Sequence, residues 1–251
     1  MSIRKIDVNF VKNVYETEAI ASIYIDVVTK VGIWESEKII AKKYFNINDR
    51  ILDIACGAGR STFGFYDQGF HAVEGLDLSY TLINAAKNIA IDSNRDIEFH
   101  QGNLLNLKFA DTSFDGAFIS YLGLMCIPGV ENRIAGLKEI YRVLKPNSIL
   151  IFVTTEDIKK LLPPEDLERE YEDWENNNRD PRLFEVGDRL FYENGLEENF
   201  GHFPTNQKVI ECIKKSGFTL RESVLREDIC EEPERVMNFG INPVRYWVVQ
   251  K

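Results

Sequence analysis

The chain has 251 residues, of which 44% are apolar and 28% charged, and these proportions are ordinary for a soluble globular protein. No apolar run is long enough to cross a bilayer and the first residues lack a secretory signal, so we predict a cytoplasmic protein without a membrane segment. The net charge of −10, with no dense Lys/Arg stripe, argues against nucleic acid as the partner. The histidines and cysteines are scattered, so we predict no metal site.

Residues 1–48 are predicted to form a helical cap, and residues 49–154 alternate short apolar runs with longer helical patterns. The predicted helices are Glu16–Lys30, Ser36–Tyr44, Ser61–Asp67, Ser79–Ala90 and Val130–Leu144, and the predicted strands are Arg50–Ala55, Ala72–Leu76, Asp96–His100, Phe114–Ser120 and Ile149–Thr154. This alternation is typical of βαβ units. It predicts a doubly wound α/β fold, with a mainly parallel sheet and helices on both faces.

Residues 155–204 break the alternation and are predicted to be an inserted lid over one edge of the sheet. The segment is acidic, and Asn194-Gly195 predicts a hairpin turn near its end. Residues 205–251 resume the regular pattern. Their predicted elements are a helix from Thr205 or Asn206 to Ser216 and strands near Thr219–Arg226 and Arg245–Val249. The chain is therefore predicted to be a single domain with one insertion.

The segment RILDIACGAGRST places a glycine-rich turn between a predicted strand and a helix. The strand ends near Asp53, and Ala55, Gly57 and Gly59 follow in the turn. Glycines permit backbone angles closed to other residues and let a ligand approach the main chain, while the helix behind offers unpaired N–H groups. Doubly wound sheets bind nucleotide-type ligands at such turns, at the carboxyl ends of their strands.

A second acidic residue, Asp77, closes the next predicted strand. An acid at that strand end can accept hydrogen bonds from both hydroxyls of a ribose. Asp77 could instead cap the following helix, a role that is also open to Ser79. We favour the ligand-binding interpretation, because two strand ends then converge on one crevice.

Three runs between Arg50 and Thr154 resemble the core of the class I S-adenosylmethionine-dependent methyltransferases, and most of all the bacterial small-molecule group. The acidic residue and G-x-G-x-G run of that family stands here as DIACGAG, with Ala55 replacing the first glycine. GNLLNLKFADTSFD is similar to the family's G-D-A-x-x-L-P-F-x-D-x-S-F-D run, and EIYRVLKPNSILIF to its helix, R-V-L-K-P-G-G turn and strand. The resemblance implies a seven-stranded Rossmann-like sheet.

The same resemblance implies that the chain binds S-adenosylmethionine, methylates a small molecule and releases S-adenosylhomocysteine. Gly57 and Gly59 would let the backbone approach the methionine part, Asp53 would help to hold its amino end, and Asp77 would bind the ribose. Asn103 stands where the family has Asp, and its amide oxygen can still accept a hydrogen bond from the adenine amino group. The other predicted cofactor residues are Ala55, Leu78, Leu104, Ser120 and, in the cap, Tyr24.

Two residues are candidates for the transfer chemistry. Tyr121 follows the fourth strand, and the resemblance places that position at the methyl end of the cofactor, although packing in the core is an alternative. His202 is the only histidine in the insertion, and as a base it would titrate near neutral pH. A packing or surface role is the alternative for His202, and the aromatic residues around it could either line an acceptor site or form a small core.

Two other functions remain open from sequence alone. A nicotinamide-dependent oxidoreductase would carry G-x-G-x-x-G, but Thr62 occupies the position of the third glycine. A regulatory domain could bind S-adenosylmethionine without turning it over, since a fold does not fix a function. The acceptor, the methylated atom and the oligomeric state are not predicted.

Overall fold

The computed structural model describes residues 5–193, 195, 197–240 and 242–251. The helices are α1 (Val8–Tyr15), α2 (Glu18–Lys30), α3 (Glu35–Tyr44), α4 (Arg60–Asp67), α5 (Tyr80–Asp92), α6 (Val130–Val143), α7 (Ile158–Leu161), α8 (Pro164–Glu175), α9 (Asn206–Lys215), α10 (Arg226–Ile229) and α11 (Glu234–Met237). The strands are β1 (Ile51–Ile54), β2 (Val73–Asp77), β3 (Glu98–Gln101), β4 (Phe114–Ile119), β5 (Leu144–Thr155), β6 (Asp188–Glu193), β7 (Glu197–His202), β8 (Thr219–Leu225) and β9 (Val244–Gln250). No helix among the described residues has both the length and the apolar character needed to span a bilayer.

Seven strands of the described chain form one sheet in the order β3-β2-β1-β4-β5-β9-β8. The pairs among β1 to β5 are parallel, whereas β9 is antiparallel to both β5 and β8. The chain runs outward from β1 to β3 and then returns to place β4 beside β1. This reversal of strand order opens a crevice above the carboxyl ends of β1 and β4, the place where doubly wound sheets bind ligands.

Apolar side chains cover both faces of the sheet, and for this reason its central strands are nearly continuous apolar runs. On one face, α6 and α9 contribute the buried residues Leu137 and Ile213 to the larger core. On the other face, α3 and α4 contribute Ile40 and Phe65 to a second core. The predicted doubly wound fold, with its mainly parallel seven-stranded sheet and helices on both faces, is confirmed.

Helix α1 and the β6–β7 hairpin, together called the roof here, pack on each other over the carboxyl ends of the strands. Val11 of α1 is buried against Phe200 of β7 and Leu183 in a small separate core. The two parts are also joined by a hydrogen bond of 2.9 Å from Asn199 Nδ2 to the Tyr15 hydroxyl. The roof gives the sheet crevice an upper wall.

The insertion contains α7 and α8 in addition to the predicted hairpin. The hairpin lies above the strand ends, where the insertion was expected to be able to reach. The physical reason is its apolar face, which finds a partner in α1. The pairing runs from Asp188↔His202 to Glu193↔Glu197. Asn194, in the predicted hairpin turn, lies outside the described residues.

Strand β5 also begins earlier than predicted, at Leu144 instead of Ile149, with an irregular pairing to β4. Asn147 takes a left-handed φ of 67° in this stretch, at one of the two positions where the family has glycine. Asn is one of the few residues with a side chain that tolerates this conformation. Asn147 can therefore take the left-handed backbone conformation that glycine would adopt at this position.

Candidate active site

A cavity of about 340 Å³ lies between the carboxyl ends of the parallel strands and the roof. Its floor follows strands β1 to β4 and its ceiling comes from the roof. The floor residues include Ala55, Gly57, Asp77, Leu78, Asn103 and Tyr121, and the roof residues are Val8, Val11, Lys12, Tyr15, Phe191 and Tyr192. Its walls are mainly apolar with a few polar groups, as in most small-molecule sites.

The glycine-rich turn forms the floor after β1. Ala55, Gly57 and Gly59 have φ values of 55°, 57° and 93°, all in the left-handed region. This conformation explains why the turn is made of small residues. Ala55 adopts it at a position where glycine would be unstrained. A Cβ atom at Gly59 would also lie 2.8 Å from the Phe63 ring. Gly57 and Ala55 line the cavity, whereas Gly59 closes the turn onto the helix behind it.

Asp77 joins the ends of β1 and β2 across the floor. Its Oδ2 accepts a hydrogen bond of 2.8 Å from the Gly57 N–H, and its Oδ1 accepts one of 2.8 Å from the Ser79 N–H. Burial raises the pKa of the Asp77 carboxyl, and the two backbone donors act against that rise. Each oxygen keeps a second acceptor site, so the carboxylate can receive hydroxyl groups from a ligand.

Asn103 and Leu104 form the floor after β3. The Asn103 side chain accepts a hydrogen bond of 2.9 Å from the Leu105 N–H and so caps a short 3₁₀ turn. This bond fixes the orientation of the amide and identifies its oxygen as a hydrogen-bond acceptor. An acceptor is what the adenine amino group requires. Leu104 is buried beside it and lines the cavity.

Comparison with known proteins gives a consistent picture of this fold and crevice. Residues 51–147 match the family pattern described as a methyltransferase domain. The chain is 30% identical over 195 residues to the ubiquinone/menaquinone biosynthesis C-methyltransferase UbiE of Rickettsia prowazekii, covering 74% of each chain. It is 31% identical over 176 residues to the demethylmenaquinone methyltransferase of Lactococcus lactis subsp. lactis, covering 68% of this chain and 66% of that one.

Among solved structures, a SAM-dependent methyltransferase of Methanosarcina mazei superposes with a TM-score of 0.68 at 24% identity, over 84% of this chain and 96% of that one. The chain belongs to the class I S-adenosylmethionine-dependent methyltransferases. S-adenosylmethionine is therefore its cofactor, and methyl transfer is its reaction class. Membership of this family decides against the nicotinamide-dependent oxidoreductase.

The structure places most of the predicted cofactor residues of this methyltransferase around one cavity. Those that line it are Tyr24, Ala55, Gly57, Asp77, Leu78, Asn103 and Leu104. Asp53, Gly59 and Ser120 do not line it. Asp53 is wholly buried beneath the turn, and Ser120 is buried with its hydroxyl between Glu37 and Arg60. Contact of the Asp53 and Ser120 side chains, or of the Gly59 backbone, with the cofactor is therefore not supported by their placement.

Asp53 instead ties the end of β1 to the helix behind the glycine turn. Its Oδ2 accepts hydrogen bonds of 2.7 and 2.6 Å from the hydroxyls of Ser61 and Thr62, while Oδ1 has no partner among the described residues. Burial raises the pKa of the Asp53 carboxyl to about 7, against the effect of the two hydroxyl donors. The folded protein thus keeps a proton at Asp53 that the unfolded chain releases at lower pH.

This proton makes a testable contribution to stability. The folded state binds more protons than the unfolded state between about pH 4 and pH 7, so the free energy of unfolding should fall as the pH rises through that window. Asp53→Asn removes the titration, and we expect urea unfolding at about pH 5 and pH 8 to show a smaller loss than in the parent. Parallel pH profiles would contradict this assignment. Weaker S-adenosylmethionine binding by Asp53→Asn would instead favour the predicted contact with the methionine amino group.

His202 does not line the cavity, so the structure does not support the predicted catalytic base. It is buried in the hairpin, with Nδ1 2.8 Å from Asp188 Oδ1 on the paired strand. Burial lowers the pKa of His202, although Asp188 acts in the opposite direction. Glu185 completes a group of three polar side chains, with Arg133 ion-paired to it. His202 therefore ties the two strands of the hairpin together, while the Glu185–Arg133 ion pair joins this end of the hairpin to α6.

Tyr121 does line the cavity, at the end of β4. Its ring also packs edge to face on Trp34, with the centroids 5.8 Å apart, and lies 4.9 Å from the Phe239 ring. The sequence left two roles open for Tyr121, packing in the core and contact with the ligand. The structure is compatible with both, because the ring packs on Trp34 and Phe239 and the residue also borders the cavity.

The residues that the sequence missed lie mainly in the roof. Val8, Val11, Lys12 and Tyr15 line the cavity from one face of α1, at the helical spacing i, i+3, i+4 and i+7. That spacing was available as a signal for an amphipathic helix. Tyr192 of the hairpin is 67% exposed and still lines the cavity, which places it at the mouth.

Proposed function

We propose that this methyltransferase transfers the methyl group of S-adenosylmethionine to a small, largely apolar acceptor bound between Tyr121 and the roof. The observation that carries the proposal is the continuous cavity, which joins the polar floor after β2 and β3 to the apolar side chains of Val11 and Phe191. A site with one polar and one apolar part suits a cofactor and an acceptor held side by side.

The floor residues fit the cofactor. Asp77 offers carboxylate oxygens to the ribose hydroxyls, and Asn103 offers its amide oxygen to the adenine amino group. Leu104 supplies an apolar surface for the adenine ring, and Gly57 lets the methionine part approach the main chain. The bound cofactor supplies an activated methyl group on a positively charged sulfur, so the protein needs no nucleophile of its own.

The roof residues indicate the class of acceptor. Among the described lining residues, Asp77 on the floor and Lys12 on α1 are the charged ones, and the remaining roof residues are apolar or aromatic. The cavity of about 340 Å³ has to hold the cofactor as well as the acceptor, so we propose that only the reactive part of the acceptor is enclosed. The names of the Rickettsia and Lactococcus relatives refer to quinone biosynthesis, which makes aromatic ring acceptors the first class to examine.

The protein's contribution to the reaction is positioning and exclusion of water. Tyr121 and the roof hold the acceptor against the methyl end, where correct alignment supplies much of the rate enhancement. The roof covers the strand ends and so limits the access of water to the polar reactants. An acceptor hydroxyl or ring carbon that must lose a proton would need a base, and we do not assign that role to His202 because it does not line this cavity.

The test begins with calorimetric titration of the full chain with S-adenosylmethionine, with NAD as the comparison ligand. We expect micromolar binding of S-adenosylmethionine and no binding of NAD. Release of S-adenosylhomocysteine is then measured with a panel of aromatic acceptors and with hydrophilic acceptors of similar size. Binding without release in any acceptor mixture would favour a regulatory domain, and release only with hydrophilic acceptors would contradict the proposed acceptor class. A cytoplasmic location stays a prediction.

A further inference from the structure

We propose that a buried cluster of Glu37, Arg60 and Ser120 positions the methyl-transfer end of the active site. Glu37 and Arg60 are positioning residues, because neither lines the cavity and both are linked to Tyr121 through Ser120 and Trp34. The inference rests on the proposed function, since it assigns the Tyr121 side of the cavity to the methyl group.

The Glu37 carboxylate and the Arg60 guanidinium form a two-pronged ion pair that is closed to solvent. Arg60 donates from Nη1 to Glu37 Oε2 at 2.7 Å and from Nη2 to Glu37 Oε1 at 2.6 Å. The Glu37 side chain is wholly buried and that of Arg60 is 8% exposed. The Ser120 hydroxyl donates to Glu37 and accepts from Arg60, and Arg60 donates further to the Gly32 carbonyl at 2.8 Å.

The cluster joins three chain segments that meet at the cavity. Glu37 lies in the first turn of α3, Arg60 begins α4 directly after the glycine turn, and Ser120 follows β4. Ser120 is followed by Tyr121 and Leu122, which line the cavity with φ values of 33° and 63°. Residues with side chains rarely adopt positive φ, so this stretch has to be held in place by its surroundings. Ser120 is the point at which the cluster holds it.

Trp34 carries the same constraint to the Tyr121 ring. Its backbone N–H donates to Glu37 Oε2 at 2.9 Å, and its ring lies 4.9 Å from the guanidinium carbon of Arg60. The Tyr121 ring packs edge to face with the same Trp34 ring, at an angle of 78°. A displacement of Glu37 or Arg60 therefore displaces the surface against which Tyr121 packs.

Stability alone does not account for an ion pair at this position. Removing two charges from water is unfavourable, and uncharged side chains of similar volume can often replace a buried pair without loss of stability. Uncharged side chains do not reproduce the fixed two-pronged geometry that Glu37 and Arg60 share with a hydroxyl and a carbonyl. A role in positioning the active site would need this fixed geometry, whereas a role in stability alone would not.

The test compares binding of S-adenosylmethionine and S-adenosylhomocysteine, because these ligands differ by the transferred methyl group and by the positive charge that it gives the sulfur. Glu37→Gln and Arg60→Met each leave one buried charge unpaired and should lower the melting temperature. In the double variant Glu37→Gln/Arg60→Met the melting temperature should recover most of the loss. The Kd for S-adenosylmethionine should nevertheless stay about tenfold above the parent, while that for S-adenosylhomocysteine changes less than about threefold.

Parent-like Kd values for both ligands in the double variant would overturn the proposal, and so would equal weakening of both ligands. Ser120→Ala keeps the ion pair, so it provides the same comparison if the double variant does not fold. We expect it to raise the Kd for S-adenosylmethionine selectively, but by less than the double variant does. A matched control is Arg245→Met/Glu156→Gln, which breaks another ion pair of low exposure outside the cavity and should leave both Kd values unchanged. If the parent protein binds neither ligand, the proposed function itself fails. That outcome is distinct from failure of the positioning role, which is measured in the variants.

Discussion

Replacement of Gly64 by alanine is expected to destabilise the protein by about 2 kcal/mol, even though alanine is the better helix former. Gly64 lies within α4, where helix propensity alone would favour alanine by about 1 kcal/mol. A Cβ atom at this position, however, would lie 2.2 Å from Ile33 Cβ and 2.7 Å from its Cγ2. An overlap at Cβ cannot be relieved by side-chain rotation, so the backbones must separate. Overpacking costs about 1–3 kcal/mol or more, and an overlap this short belongs at the upper end of that range, so about 2 kcal/mol of destabilisation remains after the propensity gain is subtracted.

The measurement is thermal unfolding, in which Gly64→Ala should lower the melting temperature by roughly 4–8 °C for a protein of this size. Gly136→Ala in α6 is the matched control, because its nearest contacts are the Leu104 Cγ and Cδ2 atoms at 3.1 and 3.2 Å, which a small shift can relieve. We expect that control to stay close to the parent. A melting temperature of Gly64→Ala equal to or above that of the parent would show that the turn at Ile33 does not pack on α4 as described.

Much of the fold and of the site floor could be predicted because both depend on local patterns. Buried parallel strands are short apolar runs, and the carboxyl ends of neighbouring strands meet at one edge of the sheet. Asp77 could therefore be assigned to the crevice from its position after β2, and Asn103 from the resemblance of its run to the family pattern. The small residues at Ala55 and Gly57 could be assigned because the turn needs left-handed backbone conformations, which the structure contains.

The roof could not be predicted in the same way, because its place depends on contacts between segments far apart in the chain. Val11 and Phe200 pack in one core although they lie far apart in the chain. The sequence of either segment does not indicate which segment it packs against. The helical spacing of α1 indicates that one face is buried, but it does not say that the face covers a ligand. The hairpin was predicted as part of an insertion, and its position over the strand ends follows only from the packing with α1.

The roles of buried polar residues were the least predictable part. Asp53 stands in the family pattern, yet its side chain is turned beneath the loop toward Ser61 and Thr62. His202 has a useful titration range in isolation, but Asp188 and burial hold it in the hairpin. A side chain's chemistry can be read from the sequence, whereas its partners depend on the three-dimensional packing.

Asp77→Ala is expected to weaken S-adenosylmethionine binding on the order of 100-fold, the largest effect on affinity that we predict. A hydrogen bond to a charged group contributes about 1.5–3 kcal/mol, so loss of two ribose contacts corresponds to at least about 3 kcal/mol. The carboxylate also accepts the Gly57 N–H, so its removal loosens the floor itself. Calorimetric titration measures the change. Asp67→Ala is the matched control, because Asp67 is paired with Arg95 at the surface and its loss should leave the Kd unchanged.

The two contributions of Asp77 can be separated with a second ligand, the 2′,3′-dideoxy analogue of S-adenosylhomocysteine. In the parent, loss of the ribose hydroxyls should weaken binding strongly, whereas in Asp77→Ala the two forms of the ligand should bind almost equally. Such non-additivity is the signature of a direct contact between the altered groups. If the hydroxyls matter as much in Asp77→Ala as in the parent, then Asp77 acts only through Gly57 and Ser79. In that case the residue is a floor support, and another group on the cavity wall must bind the ribose.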